Sequence, residues 1–245
     1  MGALAVILAR AGSKGLAGKN LRPIAGKPCA LWAVEHALRA RLVTRVALST
    51  DSLELQRLAL ERGVDVVARP AELADDEARV DRALRHAVET VDPQGACEVV
   101  ALLYGNVPVR PEGLVDRAIA ALVETGADSV QSYAPVGKHH PAWACCVDEA
   151  TGAVAPLLGG ERWGGAHRRQ DLPRAYLPDG GVVVVRRDAL LRGASAASPH
   201  AFLGEDHRAV LTQRGEVVDI DDEIDLLLAR AILERPSWRQ EAHGL

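Results

Sequence analysis

The uncharged run Ala3–Ala9 empties into Arg10-Ala11-Gly12-Ser13-Lys14-Gly15-Leu16-Ala17-Gly18-Lys19-Asn20, and this junction restricts the fold more than any other stretch. A strand without a charged residue reads as a central parallel strand, covered on both faces. Three glycines let the loop backbone curl and come close to a ligand, and Arg10, Lys14 and Lys19 add three positive charges. Open α/β sheets bind ligands beyond the carboxyl ends of their strands, and these charges suit a polyphosphate. The loop is not a Walker A sequence. Five residues rather than four separate Gly12 from Gly18, and Asn20 follows Lys19 where a magnesium-binding hydroxyl belongs. Nor is it G-x-G-x-x-G, because Arg10-Ala11-Gly12 supplies one glycine in the opening triplet.

Strands and helices alternate downstream. Pro28 opens a helix through about Arg41, with Leu31, Val34 and Leu38 on one face. Arg45–Thr50 reads as a second strand; Ser52 caps a helix that Gly63 ends, and Val64–Ala68 is a third strand. A helix over Arg79–Val91, a strand over Glu98–Tyr104, a helix over Glu112–Thr125 and a strand over Ser129–Tyr133 follow. From Val136 to Tyr176 glycine and proline are frequent and helical periodicity is lost, with a hairpin around Asp148–Gly152. This segment reads as an inserted lobe. Gly181–Val185 returns to the sheet, and Val217–Asp221 reads as a last strand leading into a helix from Asp222 to about Leu233. The expected architecture is a doubly wound, mostly parallel α/β sheet with a small inserted lobe over about 136–176. The catalytic domain is expected over 1–235, with a loose tail over 236–245.

Charge and composition narrow the classes. The net charge of −4 excludes a general nucleic-acid binder and makes the positive loop a local device. No apolar run reaches about 18 residues, so no membrane span is expected, and residues 3–9 lack the basic leader of a secretory signal. Cys29, Cys97, Cys145 and Cys146 show no C-x-x-C spacing. They read as small buried residues in a reducing compartment, which makes the cytoplasm the expected location.

Near the chain's end, Asp219 and Asp221 stand two apart on the expected strand, so both carboxylates aim to one side. Hard oxygen ligands of this kind suit Mg2+ beside a polyphosphate. Helix capping is the alternative; it accounts for Asp222, Glu223 and Asp225 but not for an acid at Asp219 inside a strand.

Taken together, these segments resemble the acylneuraminate cytidylyltransferases, the CMP-sialic acid synthetase family with its related CMP-nonulosonate synthetases. The signature loop is matched by Arg10–Gly15 and Gly18-Lys19-Asn20, and the R-P segment by Arg69-Pro70-Ala71-Glu72-Leu73-Ala74. The sugar-binding stretch is matched by Arg168-Arg169-Gln170-Asp171-Leu172-Pro173, Tyr176 and Asp179-Gly180, and the metal motif by Val218-Asp219-Ile220-Asp221. The matches come in order over about residues 3–234.

The resemblance implies a nucleotidyltransferase that joins CTP to a 2-keto sugar acid, giving the CMP-sugar and pyrophosphate. It implies Arg10 and Lys19 as catalytic cations, with Gly12, Ser13, Lys14, Asn20 and Arg69 also on the nucleotide and Mg2+ on Asp219 and Asp221. Tyr104, Asn106, Arg110, Lys138, Arg169, Gln170 and Asp179 fall to the sugar side. Arg169 suits a carboxylate because a guanidinium grips it at two points. Arg168 and Arg169 could equally be a solvated basic pair, and His139, His140 and His167 exposed loop histidines. The family's lobe swaps across a dimer, so a homodimer is implied, with Trp143 and Trp163 in the lobe.

Four positions depart from the family pattern. After the fourth strand the family reads L-Q-P-T-S-P-L-R; here Tyr104 replaces the glutamine and Asn106-Val107 two hydroxyl residues, while Pro108 and Arg110 match. Asp179 stands where asparagine is usual and would repel a carboxylate unless an arginine pairs with it. The acceptor could therefore be sialic acid, another nonulosonate or 3-deoxy-manno-octulosonate. A nucleotidyltransferase with another acceptor and a silent nucleotide-binding module are the other classes, separated by nucleotide preference and by pyrophosphate release.

Overall fold

Residues 2–12, 15–158, 168–195 and 198–234 are described by the computed structural model, the side chains of Arg169 and Ser195 excepted. The first strand, β1 (Gly2–Leu8), is buried on both faces as its composition requires. Its alternate residues serve two cores. Ala3, Ala5, Ile7 and Ala9 pack with α1 (Cys29–Arg39), α2 (Leu53–Leu60) and α4 (Leu114–Thr125). Leu4, Val6 and Leu8 pack with α3 (Val80–Val91), with Leu190 of α5 (Arg187–Arg192) and with Phe202. Helices thus cover both faces of one sheet.

That sheet also contains β2 (Arg45–Thr50), β3 (Asp65–Ala68), β4 (Cys97–Tyr104), β5 (Ser129–Pro135), β6 (Tyr176–Arg186) and β7 (His207–Leu211), in the order β7-β5-β6-β4-β1-β2-β3. β1 is parallel to β2 and β4, β2 to β3, and β5 to β7. β6 runs antiparallel to both neighbours. The expected doubly wound, mostly parallel sheet is the one observed.

Local chemistry sets the boundaries. Ser52 accepts from the Leu55 N–H at 3.3 Å and starts α2. Gly126, at φ 70°, closes α4 by donating to the Leu122 carbonyl. In the inserted region, Cys145–Val147 and Val154–Pro156 form the expected hairpin, with Asp148 accepting from the Ala150 and Thr151 amides in its turn. Trp163, His167 and the tail over 236–245 lie outside the described residues. Among the described residues, no helix is long and apolar enough to cross a membrane.

The end of the chain corrects the sequence reading. Val217–Asp221 is not a sheet strand; it makes one antiparallel bridge, Val109 with Val218, and the Ile220 N–H donates to the Asn106 carbonyl at 2.9 Å. Its apolar alternation serves a third, smaller core. There Val218 and Ile220 pack with Leu16, Ile24 and Val109, and with Leu226, Ala229 and Ile232 of α6 (Glu223–Glu234). The true last strand is β7, whose Arg208 and Ala209 are exposed at the sheet edge and weaken its apolar signal.

Candidate active site

The first-strand loop is pressed against the chain entering α6. A Cβ on Gly15 would lie 2.6 Å from the Asp221 carbonyl oxygen, so only glycine fits. Gly18, at φ 63°, turns the chain into the short 3-10 segment Lys19–Leu21. Lys19 thereby reaches across: its Nζ donates to Asp221 Oδ1 at 2.7 Å and to the Ile220 carbonyl at 2.8 Å. Arg10 donates to Asp76 Oδ1 at 2.6 Å. Gly12 is exposed, with nothing within 4 Å of where a side chain would begin. Ser13 and Lys14 lie outside the described residues.

A cleft of about 280 Å3 opens beyond the carboxyl ends of β1 and β4, where an open α/β sheet binds ligands. Arg10, Lys19, Asn20, Arg69, Tyr104 and Asn106 all line it, with Leu73, Val80 and Ala83 on an apolar side. Arg69 is buried and donates to Ser49 Oγ and to the Ser49 carbonyl. Burial lowers its pKa to about 10, with the Asp51 charge acting in opposition. Asn20 donates to the Arg10 carbonyl at 2.8 Å. Its Oδ1 is buried and has no hydrogen-bond partner among the described residues. It lies against Gly105, where an added Cβ would come within 2.9 Å of it. Tyr104 has its phenol pushed up to about 12, first by burial and then by the Asp219 charge, which keeps it a neutral donor.

Asp219 and Asp221 do share one neighbourhood, although their segment is not a strand. Asn106 Nδ2 donates to Asp219, and Lys19 holds Asp221. Burial, then repulsion from Asp221, raises the Asp219 carboxyl to about 6, with Lys19 and Arg110 opposing. Two crowded carboxylates of this kind gain from a hard divalent cation. Among the described residues no cluster of three or more His, Cys, Asp or Glu side chains could hold a metal. The donor set fits Mg2+, which takes one or two carboxylates and completes its shell with phosphate oxygens and water. Asp222 does other work: its Oδ1 accepts from the Ile224 and Asp225 amides, and Asp225 Oδ2 accepts back from the Asp221 and Asp222 amides. This reciprocal cap opens α6.

Several residues assigned to the sugar side stand apart from this cleft. Arg110 is 1% exposed and donates to the Gly181, Val107 and Tyr104 carbonyls. It ties the loop after β4 to β6, and burial lowers its pKa to about 10. The Asp179 carboxylate pairs with no arginine among the described residues; it accepts from the Ser132 and Thr212 hydroxyls and the Gly181 N–H. Gln170 lines a second cavity, of about 670 Å3, with Tyr176, Arg174 and Gln213. Lys138 and His139 are exposed. His140, by contrast, is buried between the Pro173 carbonyl and the Ala142 N–H. The side chain of Arg169 lies outside the described set. Sequence reasoning missed Asp76; its signal was the acid pair Asp75-Asp76 directly after the R-P segment.

A family model described as cytidylyltransferase matches residues 4–144. The chain is 29% identical to the N-acylneuraminate cytidylyltransferase of Streptococcus agalactiae over 78% of its own length, but that match spans only 45% of the streptococcal protein. It is 28% identical to the CMP-N,N'-diacetyllegionaminic acid synthase of Legionella pneumophila, covering 94% of this chain and 96% of that one. The pseudaminic acid cytidylyltransferase of Campylobacter jejuni is 26% identical, over 94% and 95%. Among solved structures, CMP:2-keto-3-deoxy-manno-octonic acid synthetase complexed with CTP shares the fold, with TM-score 0.69 over 96% of this chain and 99% of that one, at 20% identity.

Proposed function

Because the chain belongs to the cytidylyltransferase family, we propose that it couples CTP to a 2-keto sugar acid, sialic acid or a related nonulosonate, and releases pyrophosphate. The observation that supports this reading is the convergence of Arg10, Lys19, Asn20, Arg69, Asn106 and Asp219 from distant parts of the sequence on one side of the sheet. The names of two relatives that match almost end to end, a legionaminic acid synthase and a pseudaminic acid cytidylyltransferase, support the acceptor class.

The anomeric hydroxyl of the sugar acid attacks the α-phosphorus of CTP, and pyrophosphate leaves with the electron pair of the broken P–O bond. The protein's share is positioning and charge neutralisation. Arg10, Lys14 and Lys19 hold the triphosphate, helped by Ser13 and the amide of Gly12. Asn20 and Arg69 hold the nucleoside. Asp219 and Asp221 would hold Mg2+, which supplies neutralisation of the triphosphate charge when bound. Tyr104 and Asn106 face the reacting groups, and Lys138, Arg169 and Gln170 receive the sugar acid. The free cysteines Cys29, Cys97, Cys145 and Cys146 support a reducing compartment, the cytoplasm, as the reaction's location. Residues 1–235 are the catalytic unit.

The lobe over 136–176 closes over the sugar pocket of a second copy in a C2 dimer. Two observations support this. Gln170 lines a cavity with no residue in common with the nucleotide cleft. Val147, Leu157 and Leu158 on the lobe are exposed at 58%, 54% and 72%, an apolar surface suited to an interface. Light scattering at micromolar concentration should give twice the mass of 26.1 kDa. A fully active monomer would contradict the dimer.

The activity itself is tested by a pyrophosphate-release screen. CTP, UTP and GTP are each paired with N-acetylneuraminic, legionaminic, pseudaminic and 3-deoxy-manno-octulosonic acids. Release is expected with CTP and a nonulosonic acid. Release only with the octulosonate would favour the reading that the Tyr104 and Asn106 departures raise. Release with UTP or GTP in place of CTP would sink the assignment.

A further inference from the structure

The Arg10–Asp76 pair spans the nucleotide cleft. Arg10 comes from the end of β1, whereas Asp76 comes from the segment between β3 and α3, which supplies Leu73, Asp75 and Ala78 to the opposite wall. That segment is anchored at both ends. Arg69 bonds Ser49 before it; after it, Arg79 bonds both oxygens of Asp81 and the Ser198 carbonyl. The contact at 2.6 Å is about one-third exposed on each side. It therefore sits at the cleft's rim, and it uses a guanidinium that the reading above gives to the triphosphate.

Resting on that reading, we propose that Asp76 is a built-in competitor that holds Arg10 until a polyphosphate replaces its carboxylate. Lys19 is held in the same manner by Asp221 on the other side of the cleft. A ligand must displace internal partners to reach the cations, so its apparent affinity is lowered by the fraction of molecules in which Arg10 is free. The penalty is the same factor for every anion that needs Arg10 free, so Asp76 sets how tightly such ligands bind. Removing the competitor must tighten polyphosphate binding. A carboxylate that itself touched nucleoside or metal would have the opposite effect when removed.

Calorimetric titration of the full chain with magnesium–CTP, inorganic pyrophosphate and cytidine separates these cases. Asp76→Asn and Asp76→Ala should bind CTP and pyrophosphate about three- to five-fold more tightly than wild type, the upper part of the range of an exposed ion pair. Cytidine, which lacks phosphate, should bind unchanged. Asp75→Asn removes the same charge from the same wall without touching Arg10 and should shift CTP binding less than two-fold. Unchanged or weaker pyrophosphate binding in both Asp76 variants would overturn the proposal, as would altered cytidine binding. A wild-type protein that binds pyrophosphate but no CTP would instead defeat the CTP reading, and the pyrophosphate comparison would still decide the role of Asp76.

Discussion

Lys19→Ala should lower kcat/KM for CTP by about two powers of ten or more, the usual consequence of deleting a charge aimed at the reacting phosphates. The fold should survive. Lys19 is only 16% exposed, but its two bonds go to an exposed carboxylate and a backbone carbonyl at the cleft rather than into a core. Such contacts are worth about 1 kcal/mol, a shift of a few degrees in Tm for a chain of this size. Circular dichroism and thermal melting, run beside steady-state kinetics, separate the two effects. Turnover with CTP near wild type would remove Lys19 from the triphosphate.

Asp219→Asn is the second large effect. The amide keeps the shape and can still accept from Asn106, so the loop contact after β4 is preserved. What disappears is the charge, in a place where burial and Asp221 already hold the carboxyl near 6. Activity should fall by about two powers of ten, with a higher magnesium requirement, and direct Mn2+ binding in the presence of CTP should weaken in parallel. Asp222→Asn is the matched comparison. Its carboxylate caps α6, a task asparagine performs equally well, so activity and melting temperature should stay close to wild type. Full magnesium-dependent activity and unaltered Mn2+ binding in Asp219→Asn would remove that residue from the metal site.

Much of the fold is legible in the sequence. The uncharged β1, the Ser52 cap and the Gly126 stop depend on neighbours within a few positions, and local chemistry alone specifies them. The loop cations were legible for the same reason. The Val217–Asp221 segment was not, because alternation in a strand and alternation against α6 look alike in sequence; only the third core tells them apart. β7 escaped because an edge strand needs little apolar patterning. Arg110 shows a different limit. A motif match can carry an arginine to the right loop, but whether its guanidinium meets a ligand or three backbone carbonyls is set by burial. Asp76 was hidden because its meaning lies in a partner 66 positions away.

The coupling of CTP to a 2-keto sugar acid is tested most directly by following one reaction mixture with phosphorus NMR. The protein, CTP, Mg2+ and the acceptor that performs best in the screen should convert the three CTP resonances into one phosphodiester signal and pyrophosphate in equal amounts, and only when acceptor is present. Release of orthophosphate, or loss of CTP at the same rate without any 2-keto acid, would contradict it.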